Sequence, residues 1–580
     1  MTNGLLNKKF NIDKISETFK LPISYLEKKS LLEKNIHSDL ELTELKDDSS
    51  KGLYNTVFEP TNTFSKITTN MWSKEFTTDK KFLKDSQNLY KKVKNINFMP
   101  SSDVDELIKI YDEIKNDYSF KDKYNYVEWQ IFEHLNYNSF FLLIISLLNI
   151  CSPVFSLITP IFILLIPLLF LKLQGVSIDY NSYTNVLRFF GKILPIVNIL
   201  NFHEMPTDKK VMTSVSIVIY FFSLYQNTIS VYRFHKNMII IHKYLDKLKS
   251  FNNNIVDNID NYLLYSSNYE SYAGFNYDLQ NHKKNLISIN SRLNSITPYS
   301  VSISKIMNLG NVMSNLYSIY KDEYVNRSLL YSFGLYGYLE NIHMIQYNID
   351  KGYINKCKYS KNKTVFKKSY YAPLKDQNPV TNTYNINKNI LITGPNAAGK
   401  TTILKSSLFN IILSQQIGYG FYSGAEITPF DNIHCYLNIP DTSNRDSLFQ
   451  AEARRCKDII DVIDNDSSQT HFCIFDELYS GTNPYEAVAS ATSYLSYLCD
   501  NKNVKFIITT HYVELCEKLN TLKKNKIINK HMKVSSDKTG NFQFTYKLVN
   551  DISTIKGGIK VLKDLKYPTK IIESTENYIN

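Results

Sequence analysis

The chain has 580 residues, 43% of them hydrophobic and 21% charged. That balance excludes a disordered tail and implies a packed core, and at ~100–200 residues per domain it predicts three or four domains. Lysine and arginine number 67 against 55 acidic residues, a net charge of +12 that is compatible with nucleic acid or an anionic surface and requires neither.

The seven cysteines are Cys151, Cys357, Cys435, Cys456, Cys473, Cys499 and Cys516. Their number is odd, and neither a CxxC nor a nearby histidine pair at metal spacing occurs. Reduced intracellular thiols are expected rather than a disulfide framework or a zinc site.

In chain order, the opening MTNGLLNKKFNIDK has no apolar stretch after its charges, so no cleavable signal is expected. Residues 1–138 read as a polar, mainly helical region that holds both tryptophans, Trp72 and Trp129, and no catalytic motif. Residues 139–235 read as membrane segments. From Phe140 to Leu171 there are 32 residues without a charge, and a membrane-spanning helix needs about 20. Pro153, Pro160 and Pro167 fall inside this run and predict kinks or a re-entrant hairpin. A second uncharged run, Val211 to Tyr232, has 22 residues and ends at Arg233, His235 and Lys236. The stretch Ile193 to Leu200 between them is too short to span. If both runs span, both ends of the chain lie on one side, which is expected to be the cytosol. Buried helices of a soluble domain are the plainer alternative for both runs.

Residues 236–350 repeat Leu, Ile and Tyr at helical spacing and read as a helical bundle. Residues 356–375 hold seven lysines, Lys356, Lys358, Lys361, Lys363, Lys367, Lys368 and Lys375. They fit either a solvated strand face or a contact with DNA or membrane. From 351 to 580 a single domain is predicted. Within it Ile390–Thr393, Phe472–Phe475 and Phe506–Thr509 are short apolar strands that each end on a polar residue. That is the α/β arrangement with sites at the carboxyl ends of parallel strands.

Three motifs carry chemistry. The first is the loop Gly394-Pro395-Asn396-Ala397-Ala398-Gly399-Lys400-Thr401, followed by Thr402, between a strand and a helix. It matches the pattern in which backbone N–H groups and a helix N-terminus cradle phosphates. Lys400 is expected to reach the β- and γ-phosphates of ATP, and the Thr401 hydroxyl to ligate Mg²⁺. The second is the strand end Asp476-Glu477, where Asp476 is expected to hold Mg²⁺ and Glu477 to orient or deprotonate the attacking water. The third is Thr509-Thr510-His511-Tyr512, which puts His511 just past a strand end, in reach of a γ-phosphate.

GPNAAGKTT, DELYSGTNP and THYVEL together resemble the ATPase domain of the MutS family of DNA mismatch-repair proteins. Ser447-Leu448-Phe449-Gln450-Ala451-Glu452 resembles that family's Ser-Thr-Phe-Met-x-Glu segment. Lys547-Leu548, Gly557-Gly558-Ile559 and Tyr567-Pro568 resemble its closing elements. The resemblance covers about residues 356–576. It implies a P-loop NTPase of ABC/MutS type after an all-α core and lever region, with one or two transmembrane helices placed in that region by the uncharged runs. It also implies a homodimer with ATP and Mg²⁺ as ligands. Ser447 of one subunit would reach the nucleotide of the other, and Ser480-Gly481-Thr482 would line the interface. Hydrolysis would drive a lever motion that acts on DNA. Two departures stand out: Ala398 replaces the usual glycine, and Leu448 replaces threonine. Phe132-Glu133 and Phe58-Glu59 only superficially match the family's mismatch-reading Phe-x-Glu. A membrane-anchored transporter or membrane-remodelling ATPase is the alternative, although no LSGGQ-like segment precedes Asp476. A scaffold that uses nucleotide only as a dimerisation switch is a third.

Overall fold

Strands β1 (Lys29–Leu31) and β2 (Glu75–Thr77), paired antiparallel, are the only strands described before residue 355. The computed structural model describes residues 13–579 apart from 44–51, 174, 176–178, 181–182, 187–201, 203–205, 301, 438–446, 467, 537–541, 554, 556–558, 560–561 and 564. The predicted short run at 193–200 and Gly557-Gly558 lie outside the described residues. Two compact units are assembled from non-contiguous stretches. One holds Ser102–Val256 and Lys284–Leu329, the other Ile12–Ser101, Asp257–Lys283 and Leu330–Asn580.

The first unit is helical. Its apolar run forms one helix, Ser139–Leu173, which passes through all three prolines as a single element. At 1.5 Å per residue, 35 residues span about 52 Å. A re-entrant hairpin within this run is therefore set aside. The second run and the helical stretch after it are also one element, Thr207–Ser266, of 60 residues. Both helices are long and apolar enough to cross a membrane by length and composition. Phe140, Leu148, Phe155, Phe162 and Leu169 on the first are exposed, as are Val211, Val218, Phe221 and Phe222 on the second. What joins them is polar. Tyr220 Oη donates to the Ser156 carbonyl at 2.8 Å, and Asn227 Nδ2 to Ser156 Oγ at 2.8 Å. Beyond Arg233 the second helix becomes amphipathic. Met238, Ile241, Leu245, Leu248, Phe251 and Ile255 recur at three- and four-residue spacing and are buried.

Besides the β1–β2 pair, the second unit contains two larger sheets among the described residues. Strands β3 (Asn355–Tyr359), β4 (Val365–Ser369), β5 (Asn382–Asn385), β7 (Tyr419–Gly420) and β8 (Gly424–Ile427) form a five-stranded sheet in the order β5-β4-β8-β3-β7. Strands β6 (Asn389–Thr393), β9 (Asn432–Tyr436), β10 (His471–Asp476), β11 (Val504–Thr509), β12 (Ile527–Ser536) and β13 (Phe542–Asn550) form the other, in the order β13-β12-β6-β11-β10-β9. All its neighbours pair parallel except the β12–β13 edge. Parallel strands covered on both faces must be apolar throughout, and Ile390–Ile392, Phe472–Phe475 and Phe506–Ile508 are fully buried. Helices Leu448–Asn465, Pro484–Asp500 and Val513–Leu522 supply Ile459, Leu495 and Leu515 to a core with Leu391, Phe475 and Ile508. The register aligns Asp476 of β10 with Thr509 of β11, and Thr509 with Ile392 of β6. Three strand ends thus come level at one edge.

The N-terminal helices of this unit are built into its α/β part. Gln415 and Gln416, fully buried just past helix Lys400–Ser414, bond to backbone far upstream. Gln416 Nε2 donates to the Trp72 carbonyl at 2.6 Å and that of Glu75 at 2.8 Å, and Tyr54 Oη donates to Gln416 Oε1 at 2.6 Å. Gln87 Nε2 donates to the carbonyls of Cys357 and Gly418, both at 2.7 Å.

Candidate functional site

The loop from Gly394 to Gly399 leaves β6 at its carboxyl end and runs into helix Lys400–Ser414. Its tight path needs three left-handed residues, Gly394 (φ 151°), Ala397 (φ 62°) and Gly399 (φ 94°). Ala398, which stands where the family pattern has glycine, is outside that region and its methyl group is buried. The substitution is therefore tolerated, and the conformational cost falls on Ala397 instead. Pro395 and Asn396 complete the turn, and Thr402 follows in the first turn of the helix.

Lys400 is 5% exposed. Its Nζ donates to the carbonyls of Gly394 at 2.9 Å and Pro395 at 3.3 Å. Burial pushes its ammonium below the ordinary lysine value, and Glu477 and Asp476 oppose that shift. Thr401 Oγ1 donates to Asp476 Oδ2 at 2.7 Å, and Thr509 Oγ1 donates to the other carboxylate oxygen. Asp476 is thus held between two hydroxyls, one from the helix and one from the neighbouring strand.

Glu477 takes the first position beyond β10 with φ 52°, a conformation that is costly for a side-chain-bearing residue and is over-represented at functional sites. Its amide donates to the Thr509 carbonyl at 3.1 Å. His511 Nε2 stands 2.7 Å from Glu477 Oε1 and 3.1 Å from Lys400 Nζ, and Lys400 Nζ is 3.8 Å from Glu477. The hydrogen bond from His511 chiefly holds the Glu477 carboxyl below the usual glutamate range, with the charges of His511 and Lys400 adding to it against burial. The side chains of Lys400, Thr401, Asp476, Glu477 and His511 therefore form one connected cluster. Thr401 and Asp476 offer hard oxygen atoms, a set suited to Mg²⁺ completed by phosphate and water. Among the described residues no group of three or more His, Cys, Asp or Glu side chains gathers as a metal cage.

Ser447 is not part of this cluster within the chain. It caps helix Leu448–Asn465, accepting from the Gln450 amide at 3.3 Å, while Gln450 Oε1 accepts from the Ser447 amide at 2.9 Å. This reciprocal cap leaves an exposed Ser447 at the positive end of an 18-residue helix. The side chains of the two Phe-Glu pairs differ in setting, and Phe132 is exposed. Phe58 is buried and stacks on Trp72, Glu59 pairs with Lys375, and Glu133 pairs with Lys121 at 3.0 Å.

Two features had no clear sequence signal. Glu452, 2% exposed, accepts from the Ser480 amide at 3.0 Å, the Ser480 hydroxyl at 2.9 Å and the Gly481 amide at 3.1 Å. It fastens the Ser480-Gly481-Thr482 segment to the helix that Ser447 caps. Glu452 closes the Ser447–Glu452 motif, but nothing in the sequence assigns it a partner. The second feature is a cavity of about 370 Å³ beside Gly399 and Thr402, lined in part by Tyr371, Asn382, Tyr384 and Tyr546. These residues come from separate strands and turns, so spacing alone does not gather them.

The family model for MutS domain V matches residues 390–580. Endonuclease MutS2 of Staphylococcus saprophyticus is 28% identical over 229 residues, which are 39% of this chain and 28% of that protein. The DNA mismatch repair protein MutS of Streptococcus thermophilus is 28% identical over 203 residues, 35% of this chain and 23% of that one. The protein of the same name from Persephonella marina is 27% identical over 226 residues, 38% of this chain and 25% of its own length. The chain thus spans about a quarter of the length of these curated relatives. Residues 390–580 thus carry a domain that matches MutS domain V, and this C-terminal part of the chain, which follows a helical region, is similar to proteins of the MutS family.

Proposed function

We propose that this protein is a MutS-type, Mg²⁺-dependent ATPase that works as a homodimer and couples ATP hydrolysis to action on DNA. One observation carries the reading: Lys400, Thr401, Asp476, Glu477 and His511 converge at the carboxyl ends of β6, β10 and β11. The loop amides and the start of helix Lys400–Ser414 bind the phosphates. Lys400 exchanges the carbonyls of Gly394 and Pro395 for phosphate oxygens. Thr401 and Asp476 hold Mg²⁺, which neutralises phosphate charge when bound. Glu477, kept ionised by His511, accepts a proton from the attacking water, and His511 fixes the carboxylate's direction. The cavity beside Thr402 is placed to take the nucleoside. Ser447, at a positive helix end, completes the site of the partner subunit. DNA as the object of the motion rests on the relatives' names, DNA mismatch repair protein MutS and Endonuclease MutS2.

The test is ATP binding and phosphate release by purified protein. Lys400→Ala is expected to weaken ATP binding by about 1.5–3 kcal/mol, or ten- to hundredfold, the usual worth of a hydrogen bond to a charged group. Tight ATP binding by that variant would refute the site.

A membrane location is supported by the exposed apolar side chains of Ser139–Leu173 and Val211–Tyr232. Large exposed apolar surfaces mark contact with lipid or another protein, and polar contacts such as those of Ser156 with Asn227 and Tyr220 are a way in which membrane helices adhere. On this reading the protein is a membrane-anchored ATPase with its nucleotide site in the cytosol. Recovery of the full chain in the soluble fraction without detergent would remove the anchor and leave the ATPase assignment standing.

A further inference from the structure

The outer face of the five-stranded sheet is not used by the nucleotide site. Cys357 on β3, Phe366 on β4 and Ala425 on β8 are register partners and point into the core. Alternation then turns Lys356, Lys358, Lys367 and Glu426 outward. β8 runs between β3 and β4, and its first residue, Gly424, faces Lys367. A Cβ built on Gly424 would meet nothing within 4 Å. The middle of the face is consequently a trough of about 410 Å³ with Gly424 on its floor.

Lysines wall it on both sides. Lys356 and Lys358 stand on β3; Lys363 and Lys367 stand on and before β4. Two strand spacings separate the rows, about 9–10 Å. The single carboxylate in the lining, Glu426, is already engaged by Lys363 at 3.3 Å. Lys356 Nζ donates to Asn88 Oδ1 at 3.1 Å, and Lys91 and Lys92 crowd the same charge. Lys358 and Lys367 have no carboxylate partner among the described residues. Lys375, the last of the lysine-rich run, is different: it is 7% exposed and turned inward onto Glu59 and the Thr56 carbonyl.

We infer that this trough binds the phosphate backbone of nucleic acid, independently of base sequence. Four lysines gathered around a single carboxylate are answered by a polyanion from outside the chain. The lining contains no aromatic side chain on which a base would stack and no arginine to read a guanine edge. Its concave form suits a phosphate ridge rather than a flat bilayer, and no large exposed apolar residue lies in it to enter lipid. The choice of DNA as probe rests on the proposed function, yet none of these residues touches the nucleotide cluster. ATP turnover and DNA retention therefore report separately on the two assignments.

The experiment is anisotropy of fluorescein-labelled duplex and single-stranded DNA with the full chain in detergent micelles, over a salt series. Lys358→Gln/Lys363→Gln/Lys367→Gln is expected to weaken binding and to lower the slope of log K against log salt by about 3, one for each lysine charge removed from a phosphate. ATP turnover without DNA should be unchanged. Gly424→Glu, which adds a carboxylate to open space on the floor and leaves every lysine in place, should weaken DNA binding in the same direction. Failure of the wild-type protein to retain DNA at low salt, or an unchanged affinity and slope in both variants, would overturn the assignment. So would unchanged DNA binding with lost binding to phosphatidylserine vesicles.

Discussion

Thr401 and Asp476 are 75 residues apart in sequence and joined by a 2.7 Å hydrogen bond. The bond ties the first turn of helix Lys400–Ser414 to the end of β10 and sets a hydroxyl and a carboxylate side by side. Thr401→Val keeps the shape and removes the oxygen. The Mg²⁺ concentration needed for half-maximal phosphate release is then expected to rise about tenfold or more. A titration of activity against Mg²⁺ checks this, and an unchanged midpoint would separate Thr401 from the metal.

Glu477→Gln should leave ATP binding intact and slow phosphate release by about 10²–10⁴-fold, the usual contribution of a general base. Trapped ATP and a longer-lived dimer are the accompanying observations, readable by filter binding and light scattering. A merely structural Glu477 would leave turnover near that of the wild type.

The same side chain predicts a pH dependence of stability. Its folded value lies below the ordinary 4.5 because His511 donates to it. The unfolded chain therefore binds more protons than the folded one in the window just below 4.5. Stability contributed by the ionised carboxylate is complete above the ordinary value and is lost as pH falls through the lowered one. The difference in Tm between wild type and Glu477→Gln should shrink over that acid window and stay constant above it. A difference that grows on acidification would contradict the His511–Glu477 bond.

Gly481 packs against the start of helix Leu448–Asn465. A Cβ there would lie 2.7 Å from Leu448 Cγ and 2.8 Å from the Phe449 amide nitrogen. Because one of the two is backbone, Gly481→Ala is expected to destabilise by about 1–3 kcal/mol. It should also move the helix end that carries Ser447, so ATP-induced dimerisation should fall further than thermal stability alone implies. Analytical ultracentrifugation with and without ATP distinguishes the two effects.

Asn227 bonds Ser156 across the two apolar helices. Asn227→Leu removes one interhelical hydrogen bond, worth about 0.6 kcal/mol in a membrane and at most about 2. Membrane recovery should persist and detergent-solubilised protein should unfold at slightly lower temperature. Wholesale release into the soluble fraction would show that this seam, rather than the apolar surface, holds the protein at the membrane.

The strands that carry the site were legible because parallel strands buried on both faces leave an unbroken apolar signature. Ile390–Thr393, Phe472–Phe475 and Phe506–Thr509 each proved one or two residues longer, by Asn389, by His471 and Asp476, and by Val504 and Lys505, where a polar residue interrupts the apolar run. The loop residues and Asp476, Glu477 and His511 stand in fixed relation to those strands, so their proximity followed from strand order. Ala397 was not legible as the strained position, since only the traced backbone distinguishes it from Ala398. Glu452 and Tyr546 were not legible for another reason. Their partners, Ser480 and Gly399, lie on distant segments, and one sequence contains no record of such pairings. The five-stranded sheet was hidden because β3 and β4 are polar on alternate residues and rich in lysine, which reads equally as loop.

The glutamine pair Gln415–Gln416 bears on how such a protein is inherited. The match to MutS domain V covers residues 390–580, whereas the hydrogen bonds of this pair reach back to Tyr54, Trp72, Glu75 and Thr77. Exchange of the C-terminal region alone between genes would strand two buried amides. A graft that keeps the fold has to carry the upstream helices with it, so the two ends of the second unit must evolve as one piece.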